Sequence, residues 1–114
     1  MSDAPISFDQ FMAVDIRVGR ILSAKRNPAA IKPAFHLEVD FGGEIGIKQS
    51  SAQLTVHYTA ESLVNRLVVA VVNFAPKRIA GVKSEVLVLG VPDPAGAVVL
   101  LQPDLDVPLG ARMF

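Results

Sequence analysis

The chain has 114 residues, of which 11 are basic and 11 acidic, and it contains no cysteine. This length fits a single domain over residues 1–114, the lack of cysteine excludes disulfides and thiolate chemistry, and a net charge of zero argues against a general nucleic-acid binder. Hydrophobic residues make up 51% of the sequence, so we expect a partner subunit or a ligand to cover part of the apolar surface.

The N-terminus and the apolar runs bear on where the protein works. The N-terminus has neither a basic segment nor an apolar one, so we expect no signal peptide. The longest uninterrupted apolar run, residues 67–72, is far shorter than the roughly 18 residues that a membrane-spanning helix needs. A small secreted domain would often need disulfides, so we expect a cytoplasmic protein without membrane insertion.

The first predicted elements are a helical turn and a strand. Residues 7–11 predict the turn, with Ser7 as N-cap and Gln10 at the capping-box spacing. Residues 14–18 alternate between apolar and polar side chains, which predicts a half-buried strand. Gly19 interrupts this strand and predicts a bulge or bend, as a small barrel requires.

The middle of the sequence predicts a loop and a hairpin. Residues 27–33 form the predicted loop, with a proline near each end. Residues 35–41 then place every apolar side chain on one face, which is the clearest strand pattern in the chain. Gly42 and Gly43 are expected to turn this strand into a hairpin partner that begins at residues 45–47.

The second half predicts two short helical pieces and three strands. Ser50 begins a capping-box pattern and Thr59 offers a second helix start, so residues 51–65 are expected to be helical rather than extended. Predicted strands cover residues 67–72, 86–91 and 97–101, with a loop over 73–83, a turn at 92–96 and a wrapping tail at 103–114.

This order of elements predicts an all-β fold: a five-stranded Greek-key barrel of the OB type with short helices at the N-terminus and between strands 3 and 4. Several strands are apolar on both faces, and the helices are too few to cover them. We therefore expect a homodimer in which a second copy covers the outer faces.

The sequence offers little for catalysis. It contains no nucleophile elbow, zinc-protease motif, Walker loop or dinucleotide fingerprint. His36, Glu38 and Asp40 share one face of a strand, but three residues along a flat strand converge poorly on one ion, so a solvated face is favoured over a metal site. We expect no enzyme activity, no catalytic residue and no cofactor.

The distribution of the cations along the chain is more informative than the net charge. Nine of the eleven lie in two segments that contain no acid, residues 16–35 and 62–84. If folding joins these segments, one face is positive although the net charge is zero. In residues 73–85, Lys77 and Arg78 are candidates for binding phosphates, and Asn73 and Ser84 for reading bases or backbone carbonyls. An ordinary connecting loop, in which proline and glycine set the conformation and the cations keep the loop soluble, explains this segment equally well.

Three ordered blocks carry a resemblance to a known family. They are residues 8–21 (FxxFxxVDIRVGxI), 47–53 (IKQSSAQ) and 73–87 (NFxPKRIxGxKSEVL). Together they resemble the stand-alone tRNA-binding domain family, which includes the C-terminal module of bacterial methionyl-tRNA synthetase. The similarity runs from about Ile6 to the C-terminus, and within the family it is greatest to the CsaA-type members, which are described as export-related chaperones.

The resemblance implies an OB barrel, a cytoplasmic homodimer and two alternative ligands. For CsaA-type members it implies binding of unfolded preproteins and of the translocation ATPase SecA, without nucleotide hydrolysis; for the wider family it implies binding of structured tRNA. The ligand surface carried over to this sequence comprises Arg17, Lys48, Ser50, Asn73, Lys77, Arg78, Lys83 and Ser84. The order Lys77-Arg78 departs from the Arg-Lys of many relatives, which bears on bidentate phosphate contacts.

Overall fold

The computed structural model describes residues 4–114, so part of the N-terminal stretch used for the signal-peptide prediction, residues 1–3, lies outside the described residues. The elements in chain order are α1 (Phe8–Met12), β1 (Ile16–Arg26), β2 (Phe35–Asp40), β3 (Ile47–Ala52), α2 (Ala60–Leu63), β4 (Leu67–Val71), β5 (Lys77–Ile79), β6 (Val82–Ser84), β7 (Leu87–Val88), β8 (Gly90–Pro92) and β9 (Val98–Leu100). Over residues 4–114, no helix is long and apolar enough to cross a membrane.

Five antiparallel strands form one sheet in the order β3-β2-β1-β4-β7. The outer edge of β3 meets the segment before β7, where the Glu85 amide donates to the Gln49 carbonyl at 2.8 Å. The sheet therefore almost closes on itself, with α2 in the connection between β3 and β4. This confirms the predicted all-β barrel of the OB type.

The core follows from the alternation along β2. Phe35, Leu37 and Val39 are each at most 1% exposed, while Glu38 between them faces solvent. Successive side chains of a strand point to opposite faces, so one face of β2 fills the barrel. The other large apolar side chains that are fully buried around it are those of Ile21, Phe41, Leu63 and Val68.

The bulge predicted at Gly19 lies three residues further on. Gly19 pairs regularly with Val68, whereas the register between β1 and β2 shifts between Ile21 and Ser23. The glycine has a different role, because a β-carbon there would lie 2.6 Å from Val39 Cγ1 and 2.8 Å from the Phe41 ring. Gly19 thus permits close packing across the barrel.

Of the two capping boxes predicted, the one at Ser50 was wrong, whereas the one at Ser7 and the helix start at Thr59 are confirmed. Ser7 caps α1 and Thr59 caps α2, each with both hydrogen bonds of the box. Ser50, in contrast, lies within β3 and pairs with Leu37 of β2. The ladder with a long, strongly alternating neighbour outweighs the local helix signal, because tertiary pairing commonly overrides local propensity.

Two predictions in the second half were also corrected. The loop predicted over residues 73–83 contains a small hairpin, β5–β6, and the strand predicted over 86–91 is divided into β7 and β8. The division falls at Leu89, whose amide still bonds to the Val69 carbonyl of β4 at 2.8 Å. After Leu89 the chain leaves β4 and pairs with β9 instead.

The C-terminal tail wraps against β1, as expected. The Val18 amide donates to the Ala111 carbonyl at 3.0 Å, and the Met113 amide donates to the Ile16 carbonyl at 2.8 Å. Gly110 makes this possible with a positive φ of 83° and a bond from its amide to the Val18 carbonyl at 2.8 Å. The tail therefore supports the part of β1 that does not pair with β2.

Candidate ligand-binding groove

The candidate site is organised by the β5–β6 hairpin. Its tight turn consists of Ala80 and Gly81, both in the left-handed region with φ of 47° and 83°, which suits the right-handed twist of paired strands. The register places Lys77 opposite Ser84 and Arg78 opposite Lys83. Since side chains alternate, Lys77 and Ser84 share one face of the hairpin, and Arg78 and Lys83 share the other.

A groove of about 470 Å³ lies on the Lys77 side of the hairpin. We call it the hairpin groove; its lining residues are Ser51, Phe74, Ala75, Lys77, Ile79, Ser84, Glu85, Val86 and Leu87. Phe74 is 58% exposed and Leu87 is 49% exposed. Large apolar side chains are thus presented to solvent in a concave surface, as in sites that take apolar ligands.

The base of the hairpin groove is hydrogen-bonded to β3. The buried Ser50 hydroxyl donates to the Val86 carbonyl at 3.0 Å, and the Ser51 amide donates to the Ser84 hydroxyl at 3.3 Å. The Glu85 carboxylate accepts from the Gln49 amide at 3.3 Å. These bonds hold the segment after β6 against β3, so the floor of the groove is part of the barrel rather than a free loop.

The charged groups around the groove differ in their pairing. Lys48 lies 3.7 Å from Glu85 and is partly neutralised by it. Among residues 4–114, in contrast, no carboxylate forms an ion pair with Lys77, Arg78 or Lys83. Arg78 and Lys83 are like charges directly opposite each other, which is unfavourable without an anion between them. The hairpin therefore presents free positive charge on both faces.

Two of the predicted site residues lie elsewhere. Arg17 forms an ion pair with Asp15 at 2.6 Å and donates to the Gly110 carbonyl at 3.0 Å. The hydrogen bond that Arg17 donates to the Asp15 carboxylate raises the pKa of Arg17 further, so its charge is fixed. Asn73 accepts from the Asp15 amide at 3.0 Å and donates to the Ala13 carbonyl at 2.8 Å. Both side chains thus fasten the segment between α1 and β1.

The other six predicted residues gather around the hairpin. Lys77 and Ser84 line the groove, Arg78 and Lys83 occupy the opposite face, Lys48 contacts Glu85 at the rim, and Ser50 lies beneath the floor. The prediction omitted the apolar walls, Phe74 and Leu87. An aromatic residue two positions before a proline in a cationic segment was the available signal for Phe74. Leu87 gave no such signal, because it belongs to an apolar run.

The two acid-free cationic segments pair along β1 and β4, and side-chain hydrogen bonds also join them at two places. Asn27 donates to the Ala80 carbonyl at 3.1 Å, which joins the loop after β1 to the tip of the hairpin. Arg20 donates to the Asn65 carbonyl at 2.8 Å on another side of the barrel, where Asp104 and Asp106 line the same cleft. Free positive charge is therefore concentrated at the hairpin and its neighbouring loop rather than spread over one whole face.

Comparison with known proteins gives a consistent result. The sequence model of the family described as "Putative tRNA binding domain" matches residues 16–112. The chaperone CsaA of Bacillus anthracis is 50% identical with a TM-score of 0.90, over 97% of this chain and 100% of that one. The CsaA chaperone of Picrophilus torridus is 46% identical with a TM-score of 0.89, over 96% of this chain and 100% of that one.

Longer proteins contain a related sequence. Methionine–tRNA ligase of Pyrococcus furiosus is 40% identical over 108 residues, which is 95% of this chain but 14% of the ligase. The chain thus spans about one seventh of the length of this curated relative. The matched portion corresponds to the tRNA-binding family rather than to a catalytic domain.

Proposed function

The chain belongs to the tRNA-binding domain family and is CsaA-like over nearly its whole length, and from this premise we propose that it is a non-enzymatic, cytoplasmic chaperone. In this proposal a homodimer holds unfolded preproteins and contacts the SecA motor for export. The observation that carries the proposal is the pair of exposed apolar walls, Phe74 and Leu87, in a groove that is also lined by Lys77, a cation without an ion-pair partner among residues 4–114.

The mechanism needs no chemical step. An exposed hydrophobic segment of a client loses water when it lies between Phe74 and Leu87, which contributes roughly 25 cal/mol for each Å² of apolar surface buried. Lys77 at the rim favours clients that carry carboxylates near their apolar residues. Neither contribution depends on an exact client sequence, so the groove suits a range of unfolded chains and releases them without nucleotide hydrolysis.

The wall residues give the first test. Replacing Phe74 and Leu87 together by serine is expected to weaken binding of a reduced, carboxymethylated unfolded protein about tenfold for each side chain lost, because each stops burying its apolar surface. Fluorescence anisotropy with a labelled client measures the effect, and Phe8→Ser, at a phenylalanine outside the groove that is even more exposed than Phe74, is the control. Unchanged client binding would contradict the proposal.

A second apolar cleft supports the proposed homodimer. It holds about 490 Å³ and is lined mainly by Val18, Val69, Leu101, Pro103, Val107, Ala111, Met113 and Phe114. Phe114 is 94% exposed. Nearby on the β8–β9 hairpin, Val91 and Val99 form an exposed cross-strand pair. An apolar surface of this kind on a small domain fits a self-complementary contact with a second copy.

Sedimentation measures this assembly directly. The protein is expected to sediment as a dimer, and Leu101→Asp to raise the dissociation constant about a hundredfold or more, because the interface would bury an unpaired carboxylate. Val56→Asp, at an exposed position outside the cleft, is expected to leave the dimer intact. A wild-type monomer at micromolar concentration would rule out the homodimer.

Binding of structured tRNA is the second candidate function. The observation that favours it is the outer face of the hairpin, where Arg78 and Lys83 lie side by side without a carboxylate partner among residues 4–114. Such a pair suits two phosphates of a folded RNA, which would be recognised by shape rather than by sequence. A pull-down from lysate with and without ribonuclease, scored for RNA, preproteins and SecA, separates the two functions.

A further inference from the structure

The loop that follows β1, residues 27–34, exposes an aliphatic side chain at its tip. Ile31 has a relative exposure of 102%, the highest of the large hydrophobic residues in the described part of the chain. Its neighbours Pro28, Ala29, Ala30 and Pro33 are small or apolar. Ile31 therefore contributes nothing to the core, and its whole side chain is available to an apolar environment outside the protein.

This loop is held next to the tip of the β5–β6 hairpin. Asn27 donates to the Ala80 carbonyl at 3.1 Å, and its own side-chain oxygen accepts from the Ala29 amide at 3.1 Å. Ile31 and Lys32 line a shared cleft together with Ile79 and Ala80 of the hairpin. The two tips therefore form one surface, which we call the loop-tip surface: residues 26–34 and 78–83.

Every charged side chain of the loop-tip surface is a cation. Its 15 residues include four cations, Arg26, Lys32, Arg78 and Lys83, and no aspartate or glutamate. The two clefts that flank Ile31 are likewise lined without any carboxylate. The surface therefore combines a protruding aliphatic group with a concentrated positive charge, and its partner must offer negative charge in front of an apolar layer.

We propose that the loop-tip surface docks on an anionic lipid surface, with Ile31 entering the boundary between headgroups and acyl chains. This combination of a basic surface and an inserted aliphatic side chain is the one that peripheral membrane contacts use. RNA would satisfy the cations but leave Ile31 in water, and the surface lacks an aromatic side chain for base stacking. The clefts beside Ile31 are lined mostly by small residues, whereas the hairpin groove offers an unfolded client the larger side chains of Phe74 and Leu87.

Vesicle sedimentation with the full chain tests the proposal. Wild-type protein is expected to bind vesicles that contain phosphatidylglycerol in phosphatidylcholine and to bind pure phosphatidylcholine much less. Lys32→Ala is expected to weaken binding to the anionic vesicles about fivefold, since one cation near such a surface is worth about 1 kcal/mol. Ile31→Ser is expected to weaken it by a similar factor, since it removes the inserted aliphatic group.

Two comparisons make the result specific. Val56→Ser removes another exposed aliphatic side chain outside the loop-tip surface and is expected to leave vesicle binding unchanged, and thermal unfolding checks that each variant is folded. Absence of wild-type binding to anionic vesicles, or equal losses from Ile31→Ser and Val56→Ser, would overturn the proposal. A loss of tRNA binding from Lys32→Ala and Ile31→Ser with unchanged vesicle binding would overturn it in favour of RNA.

Discussion

Replacing Lys77 and Arg78 together by alanine is expected to weaken tRNA binding by about tenfold or more at low salt and to lower the slope of log affinity against log salt by about 2. Each cation that contacts a phosphate releases counterions, and this release sets the slope. Both side chains lie on the hairpin without an ion-pair partner among residues 4–114, so their full charge is available to a ligand.

Titrations of tRNA and of the unfolded client over a series of salt concentrations measure this effect. Arg66→Ala, which removes a cation from a different cleft, is expected to leave the salt slope of tRNA binding nearly unchanged. Client binding is expected to fall much less than tRNA binding, because the apolar walls remain. A salt slope that the Lys77 and Arg78 double variant does not alter would contradict the assignment of phosphate contacts to the hairpin.

Adding a single methyl group at Gly19 is expected to destabilise the barrel by about 1–3 kcal/mol, the usual effect of overpacking a core. The β-carbon of Gly19→Ala would lie 2.6 Å from Val39 Cγ1 and 2.8 Å from the Phe41 ring, both of which belong to fully buried side chains. Neither side chain can withdraw without displacing β2. Denaturant unfolding monitored by circular dichroism measures the change in the free energy of unfolding.

Gly43→Ala is the matched control for this measurement. A β-carbon at Gly43 would meet nothing within 4 Å, and its φ does not lie in the left-handed region. The same chemical change is therefore expected to alter stability by less than about 0.5 kcal/mol, or to raise it slightly by restricting the unfolded chain. Equal losses at Gly19 and Gly43 would show that close packing across the barrel is not the reason for the glycine.

The barrel was predictable because its central strands carry strong, periodic patterns. The alternation along β2 identified the buried face correctly, and Phe35, Leu37 and Val39 are its most buried members. Capping boxes were less reliable, because the same local pattern, serine followed three residues later by glutamine, occurs at Ser7, which begins a helix, and at Ser50, which pairs within a sheet. The local sequence alone does not distinguish these two positions, because pairing with a neighbouring strand determines the structure at the second.

The β5–β6 hairpin was not predicted, for two physical reasons. Its strands have three residues each and expose most of their side chains, so they show no buried periodicity. Its turn uses Ala80 and Gly81 at positive φ, whereas the usual sequence signal for such a turn has asparagine or aspartate before the glycine. The sequence of this segment therefore predicts a loop, although the segment forms a hairpin that lines the groove.

The site itself could be predicted only in part. Lys77 and Ser84 belong to one sequence block and were both assigned to the ligand surface, but only the structure shows that they are cross-strand neighbours. Arg17 and Asn73 belong to equally distinctive blocks, yet both contact Asp15 and neither lines the groove. Some polar residues contact the ligand and others hold segments of the chain together. The hydrogen-bond and ion-pair partners that distinguish these two roles are identified only by the folded structure.

Site-specific photo-crosslinking tests most directly whether the hairpin groove holds the client. A photoreactive phenylalanine analogue at position 74 lies in the groove, and the same analogue at position 8 lies on an exposed helix away from it. The proposal predicts that an unfolded protein crosslinks strongly from position 74 and weakly from position 8, and that excess unlabelled client competes away the first signal. Crosslinking from position 8 that equals or exceeds that from position 74 would contradict it.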